Sequence, residues 1–111
     1  MEQLGPLAQQ AQVLEAQYDA VVVNPPYMGG KNMNTSLKEW ARCSFPMSKA
    51  DAYGIFIERS EQLTKEHGRF AMITMQAWMF LSSFSSLRFS LCQNNSLVQM
   101  FHTGPGVFPD L

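Results

Sequence analysis

The sequence predicts an α/β domain with a mostly parallel sheet and flanking helices. Short apolar runs at 18–23, 69–75 and 97–101 alternate along the chain with segments of helical periodicity at 51–66 and 83–93. The first run, YDAVVV, is apolar without alternating polar residues, which is typical of a strand buried on both faces, as parallel strands are. Strands that alternate with helices in this way favour parallel pairing through crossover connections.

The first part of the chain is predicted to contain a helix, a strand and a long loop. Residues 7–17 are rich in Ala, Gln, Leu and Glu with apolar residues at helical spacing, and a Gly-Pro pair precedes them as a start signal. The strand at 18–23 must end at Asn24-Pro25-Pro26, because a proline cannot donate a hydrogen bond to a sheet. Residues 28–49 show little periodicity and are predicted to form a long loop with a short helix at 36–42.

The helix at 51–66 has Asp51 as its predicted N-cap and Gly68 as its stop signal. Its charged side chains, Glu58 among them, are assigned to a solvated face. The apolar run at 69–75 then forms the second predicted strand.

A third helix is predicted at about 83–93, where two serines open it and Asn94-Asn95 close it. The apolar run at 97–101 follows as a third strand and ends before a Gly-Pro-Gly sequence.

The composition excludes several classes of protein. The 111 residues carry a net charge of −1, which excludes a strongly basic module that wraps nucleic acid, so any contact with DNA must be local or come from elsewhere. The most apolar run, 70–81, is too short for a membrane span, which needs about 20 residues. Cys43 and Cys92 lie far apart without metal-ligand spacing, and the amino terminus lacks a secretory signal. These features predict reduced thiols and a cytoplasmic protein with no membrane partner.

The most specific motif of the sequence is Asn24-Pro25-Pro26-Tyr27, directly after the first predicted strand. Ligands of parallel α/β sheets bind at the carboxyl ends of the strands, where this motif lies. The Asn24 side-chain oxygen and the Pro25 carbonyl are two uncharged acceptors, which suit the two hydrogens of a planar NH₂ group. Tyr27 adds a flat face on which a base can stack. The motif therefore predicts a site that binds and activates an amino group.

The segment 18–27 resembles the catalytic motif of S-adenosylmethionine-dependent amino-group methyltransferases, in particular DNA adenine-N6 methyltransferases. The segments 48–59 and 68–74 resemble the helix and strand that follow this motif in that family. The block 78–88 and the loop 27–34 resemble the large adenine methyltransferases of BREX-type phage-defence and restriction–modification systems.

This resemblance implies a role for individual residues. Asn24 and the Pro25 carbonyl would bind the N6 amino group of an adenine flipped out of the duplex, with Pro26 completing the motif and Tyr27 stacking on the base. Phe56 would pack against the adenine ring of the cofactor S-adenosylmethionine. Phe108 would lie on the other face of the flipped base. Apart from the resemblance, the loop cations Lys31, Lys38 and Arg42 are candidates for contacts with DNA phosphates, and Lys31 among them is assigned to the substrate site.

The resemblance also implies that part of the family's cofactor pocket lies outside this chain. The family binds S-adenosylmethionine through a glycine-rich turn after its first strand, and no strand with such a turn precedes Tyr18. We therefore expect a partial Rossmann-like methyltransferase domain that lacks the first strands. Residues 1–17 would form a helical lead-in and 18–111 the half with the catalytic motif. Such a chain is expected to be inactive alone and to self-associate through exposed strand edges.

Two other functions are compatible with the motif. Protein-glutamine and RNA base methyltransferases use the same amino-group clamp, because the clamp recognises the NH₂ group and not the molecule that carries it. A non-catalytic module that pairs with a partner subunit would also retain these residues.

Overall fold

The computed structural model describes residues 4–104 and Gly106. Four helices and two strands follow one another in the order α1 (Leu4–Glu15), β1 (Tyr18–Val23), α2 (Thr35–Ser44), α3 (Ala52–Leu63), β2 (Thr64–Met72) and α4 (Ser85–Asn94). Three short 3₁₀ turns lie at Gly30–Asn32, Gln76–Met79 and Ser82–Phe84. The predicted α/β class is confirmed, and β1 has the bounds that the apolar run and the two prolines predict.

The sheet of the described residues has two parallel strands, β1 and β2. β2 begins at Thr64 and not at the predicted Arg69. Its regular pairing with β1 joins Ala20 to Arg69 and continues to Val23 and Met72. The strand ends three residues earlier than predicted, at Met72.

The predicted end of the helix at 51–66 is wrong. α3 stops at Leu63, and Gly68 lies inside β2, where the register between the strands shifts. His67 has a φ of 66°, and a Cβ on Gly68 would come within 2.9 Å of the Asp19 carbonyl oxygen. Gly68 is therefore required by close backbone approach in an irregular strand, and not by a helix end.

One face of α3 is more buried than the sequence pattern predicts. Glu58 is 8% exposed, and its Oε2 accepts a hydrogen bond of 2.6 Å from the hydroxyl of the fully buried Ser48. The assignment of Glu58 to a solvated face is therefore wrong. Gly54 lies on this buried face of α3 and leaves no room for a side chain. A Cβ at this position would lie 2.7 Å from the Phe84 ring and 3.2 Å from the Ser48 carbonyl oxygen.

The predicted third strand at 97–101 is not formed. Leu97, Val98 and Phe101 are 72%, 70% and 79% exposed, and no strand among the described residues pairs with this segment. A β-branched apolar run becomes a strand only when a neighbouring strand satisfies its backbone groups, and local sequence does not supply that neighbour.

Residues 28–50 leave the sheet after Tyr27 and return at the start of α3, and we call this segment the excursion. The short helix predicted within it is confirmed as the longer α2, with the Asn34 side chain accepting from the Leu37 N–H as the N-cap. A small apolar cluster joins the excursion to α3 and consists of Met33, Ala41, Phe45 and Ile55.

A second apolar cluster lies between α3 and α4 and consists of Tyr53, Ile57, Phe84 and Leu87. Arg88 of α4 donates to the carbonyl oxygens of Trp78 and Leu81 at 2.8 and 2.6 Å. These bonds attach the segment between β2 and α4 to this helix. Within residues 4–104, we find no helix with the length and apolar character of a membrane span.

Candidate active site

The Asn-Pro-Pro-Tyr motif lies where the two parallel strands end side by side. β1 ends at Val23 and β2 at Met72, and the Ile73 N–H donates to the Val23 carbonyl at 3.3 Å just beyond the ladder. Pro25 is buried, whereas Asn24 is exposed. The buried proline holds the turn, and the asparagine amide remains accessible at the open edge of the sheet.

The Tyr27 ring is held at two points. Its hydroxyl donates to the Ile73 carbonyl at 3.2 Å, and the ring meets Tyr53 edge-on, with centroids 5.8 Å apart and an interplanar angle of 79°. Edge-to-face packing at this separation is a favourable arrangement of two aromatic rings. The orientation of the predicted stacking face is therefore set by β2 on one side and α3 on the other.

Asp51 links the backbone that follows Tyr27 to the first turn of α3. Its Oδ1 accepts from the Met28 N–H at 3.0 Å and from the Tyr53 N–H at 3.2 Å. The Ala52 N–H donates to the Met28 carbonyl at 2.9 Å. One carboxylate thus caps α3, as the sequence predicts, and also fixes the residue after the Asn-Pro-Pro-Tyr motif.

Tyr53 lies behind Tyr27 with an unpartnered hydroxyl. The residue is 2% exposed, and its Oη has no hydrogen-bond partner among the described residues. Burial raises the pKa of Tyr53 to about 12, and the Asp51 carboxylate adds to this effect. The Trp78 backbone is near enough to lower this pKa slightly, but it forms no hydrogen bond with the hydroxyl.

Replacing Tyr53 with Phe is expected to stabilise the protein at pH 7 by about 1 kcal/mol, because it removes a buried hydroxyl that has lost water without gaining a partner. The stability difference is expected to widen at alkaline pH. An unfolded tyrosine ionises near pH 10, whereas folded Tyr53 keeps its proton to about pH 12, so the wild type loses stability as the pH rises between these values.

Urea unfolding at pH 7 and pH 11 measures both effects. The control is Tyr18→Phe, which removes an exposed hydroxyl that donates to the Val13 carbonyl at 2.8 Å, and which is expected to destabilise slightly at pH 7. A Tyr53→Phe variant less stable than the control would show that the Tyr53 hydroxyl has a partner.

The remaining predicted site residues form no hydrogen bond or ring contact with Tyr27 among the described residues. Phe56 is 40% exposed on α3, and Lys31 is exposed in the 3₁₀ turn of the excursion. The hydrogen bonds and ring contacts of Tyr27 do not extend to either side chain. Phe108 lies outside the described residues.

No group of three or more His, Cys, Asp or Glu side chains in the described part of the chain could hold a metal ion. Cys43 and Cys92 are exposed and unpaired, as the sequence predicts.

Sequence reasoning identified Asp51 only as a helix cap and assigned Tyr53 no role at the site. The missing information is not local, because the bond from Asp51 to Met28 spans 23 residues. The only sequence signal for Tyr53 is its position in the first turn of the helix that follows the loop after Tyr27.

Comparison with known proteins relates most of the chain to methyltransferases. The family model described as Eco57I restriction-modification methylase matches residues 6–108. The chain is 49% identical over 106 residues to the adenine-specific methyltransferase BrxX of Escherichia coli O9:H4 (strain HS), an alignment that covers 96% of this chain. It is 40% identical over 109 residues to the adenine-specific methyltransferase PglX of Lacticaseibacillus casei (strain Zhang), with 98% of this chain covered.

A third relative is the type II restriction enzyme and methyltransferase RM.Eco57I of Escherichia coli, which is 32% identical over a 93-residue alignment that covers 79% of this chain. The chain spans about 9% of the length of each of these relatives. The resemblance to adenine methyltransferases that the motif residues indicate is confirmed by these matches. The chain belongs to the Eco57I restriction-modification methylase family.

Proposed function

We propose that this chain forms the catalytic-motif half of a DNA adenine-N6 methyltransferase in a restriction–modification or phage-defence system. The observation that carries the proposal is the placement of Asn24-Pro25-Pro26-Tyr27 at the carboxyl end of a parallel sheet, with the Tyr27 ring held on both sides. The names of the relatives, two of them adenine-specific methyltransferases, support the same activity.

The clamp residues would act by binding and orienting the amino group. The Asn24 Oδ1 and the Pro25 carbonyl oxygen would each accept one N6 hydrogen, which polarises the amino group and directs its lone pair towards the electrophile instead of into the ring. Tyr27 would stack on the flipped adenine and offset part of the few kcal/mol that flipping costs. Alignment then supplies most of the rate, and the N6 proton can leave after methyl transfer.

The methyl group would come from S-adenosylmethionine, whose sulfonium centre supplies the electrophile. Phe56 presents an exposed aromatic face on α3 that fits a planar purine ring, so we assign it to the adenine of this cofactor. The chain alone is proposed to be inactive, because the glycine-rich cofactor turn of the family is not among its residues.

Lys31 and Phe108 are assigned to the DNA. Lys31 is an exposed cation four residues after Tyr27 and would contact a phosphate beside the target base. Phe108 would close the second face of the flipped base, an assignment that rests on the family resemblance. The proposed location is the cytoplasm, where a bacterial-type DNA substrate would be reached. The outer edges of the sheet, which pair with no further strand among the described residues, would allow self-association.

Genome-wide mapping of N6-methyladenine in the source cell, with and without the gene that encodes this chain, tests the proposal. We expect one sequence motif to lose its methylation when the gene is deleted and to regain it when the gene is restored. An unchanged methylome would overturn the DNA substrate and favour a protein or RNA amide or amine as the acceptor.

A further inference from the structure

The positive charge of this protein is concentrated in the excursion. Residues 28–50 contain four of the eight basic residues but only one of the nine acidic residues, Glu39, which gives the excursion a formal charge of +3 in a chain of net charge −1. All four basic side chains are exposed, and they are Lys31, Lys38, Arg42 and Lys49. The rest of the chain is therefore acidic, and the excursion is a local basic surface.

Three of the four basic residues outside the excursion form hydrogen bonds or an ion pair within the chain. Arg59 donates to the Leu14 carbonyl at 2.6 Å, and Arg88 donates to the carbonyl oxygens of Trp78 and Leu81. Lys65 lies 3.5 Å from the Asp19 carboxylate. By contrast, the four cations of the excursion form no ion pair with any side chain in the described part of the chain.

The excursion is fixed next to the catalytic motif. Its two ends are joined by hydrogen bonds from Gly30 N–H to the Ala50 carbonyl at 3.0 Å and from Ala52 N–H to the Met28 carbonyl at 2.9 Å. Its interior packs on Ile55 of α3 through the buried Met33, Ala41 and Phe45. The cations are therefore carried on a packed element that begins at the residue after Tyr27.

Within α2, the buried and the charged residues lie on different faces. Leu37 and the fully buried Ala41 pack towards the cluster, whereas Lys38 and Arg42 follow each of them by one position. Residues four apart lie one turn apart on the same helix face, so Lys38 and Arg42 form a short exposed basic stripe.

We propose that the excursion is a DNA-backbone binding surface, on which Lys38 and Arg42, together with Lys31 and Lys49, contact phosphates of the duplex next to the flipped adenine. This inference rests on the proposed function and extends it from one lysine to a folded element. A duplex presents a phosphate for every 3.4 Å of axis on each strand, so phosphates flank the flipped base on both sides. Contacts of this kind position the duplex and carry no sequence information.

The test compares the salt dependence of duplex binding by the complete methyltransferase and by its Lys38→Gln/Arg42→Gln variant. Each phosphate contact contributes about 0.9 to the slope of log affinity against log salt concentration, so two lost contacts lower the slope by about 1.8. The affinity deficit of the variant is then about tenfold larger at 50 mM salt than at 200 mM salt. Fluorescence anisotropy with a labelled duplex measures the slope.

The matched control is Lys65→Gln/Arg69→Gln, which removes the same charge from β2 and is expected to leave the slope unchanged. An equal slope change in both double variants would show that only net charge matters and would overturn the proposal. A wild-type slope in Lys38→Gln/Arg42→Gln would overturn it as well. If that variant does not fold, as judged from its melting temperature, Lys31→Gln/Lys49→Gln is expected to give the same reduction.

Binding is measured without methyl transfer, so the two proposals fail separately. A wild-type enzyme that binds the duplex but transfers no methyl group to adenine contradicts the proposed function. An active enzyme whose slope is insensitive to the four cations contradicts only the role of the excursion.

Discussion

Replacing Asn24 with Ala in the complete methyltransferase is expected to lower the rate of N6-adenine methylation by about a hundredfold or more, with little change in stability. Removing one positioned hydrogen-bonding group from a transition state costs about 10²–10³ in rate. Asn24 is exposed, and its side chain forms no hydrogen bond with the described residues, so its loss leaves no buried group unpaired. Single-turnover methylation of a duplex measures the rate of the chemical step.

Two further variants make the Asn24 result specific. Asn24→Asp keeps a side-chain acceptor at the same position and is expected to retain more activity than Asn24→Ala. Asn94→Ala, at the end of α4, removes an exposed side chain that bonds only to Ser90 among the described residues, and it is expected to leave the rate unchanged. An Asn24→Ala enzyme with a wild-type single-turnover rate would show that this side chain does not bind the reacting amino group.

The elements that are predicted best from the sequence are those whose determining residues lie within the element or directly beside it. β1 is predicted to the residue because its apolar run is ended by two prolines that cannot continue a ladder. The position of Asn24-Pro25-Pro26-Tyr27 at the end of β1 follows from the same local signal, since these residues come directly after the strand. The cap of α3 is also local, because an aspartate side chain reaches the N–H groups of the next turn.

The wrong predictions all depend on residues distant in sequence. The charge pattern of α3 predicts that Glu58 is solvated. In the structure Glu58 is buried and accepts a hydrogen bond from the hydroxyl of Ser48, ten residues earlier. The end of α3 at Leu63 and the irregular start of β2 depend on the backbone of β1 beside them. The run at 97–101 has strand composition without a pairing strand among the described residues.

The candidate site divides in the same way. Residues 24–27 can be read from the sequence, whereas the groups that orient Tyr27 cannot, because they are brought together by the fold. Tyr53, which contacts the Tyr27 ring, lies 26 positions further along the chain. The Ile73 carbonyl, just after β2, accepts a hydrogen bond from the Tyr27 hydroxyl. Sequence therefore identifies the groups that would touch the substrate, and the structure adds those that position them.

Asp51 is the positioning residue for which this distinction has the largest expected consequence. Asp51→Ala removes two hydrogen bonds, to the Met28 and Tyr53 N–H groups, and is expected to cost about 1–2 kcal/mol of stability through the lost cap. It also frees the backbone next to Tyr27, and a displacement of about 1 Å at a reacting site can cost about a hundredfold in rate. We therefore expect a large loss in kcat with a smaller change in the affinity for DNA.

A helix cap and a positioning residue are separated by two comparisons. Asn34→Ala removes the equivalent cap of α2, which accepts from the Leu37 N–H at 2.8 Å but does not contact the residues next to Tyr27. It is expected to cost similar stability without the loss in kcat. Asp51→Asn keeps an oxygen that can accept both hydrogen bonds and is expected to restore most of the rate. If Asn34→Ala and Asp51→Ala lower kcat equally, Asp51 acts only through stability, because a cap without a hydrogen bond to Met28 would then have the same effect as the cap that has one.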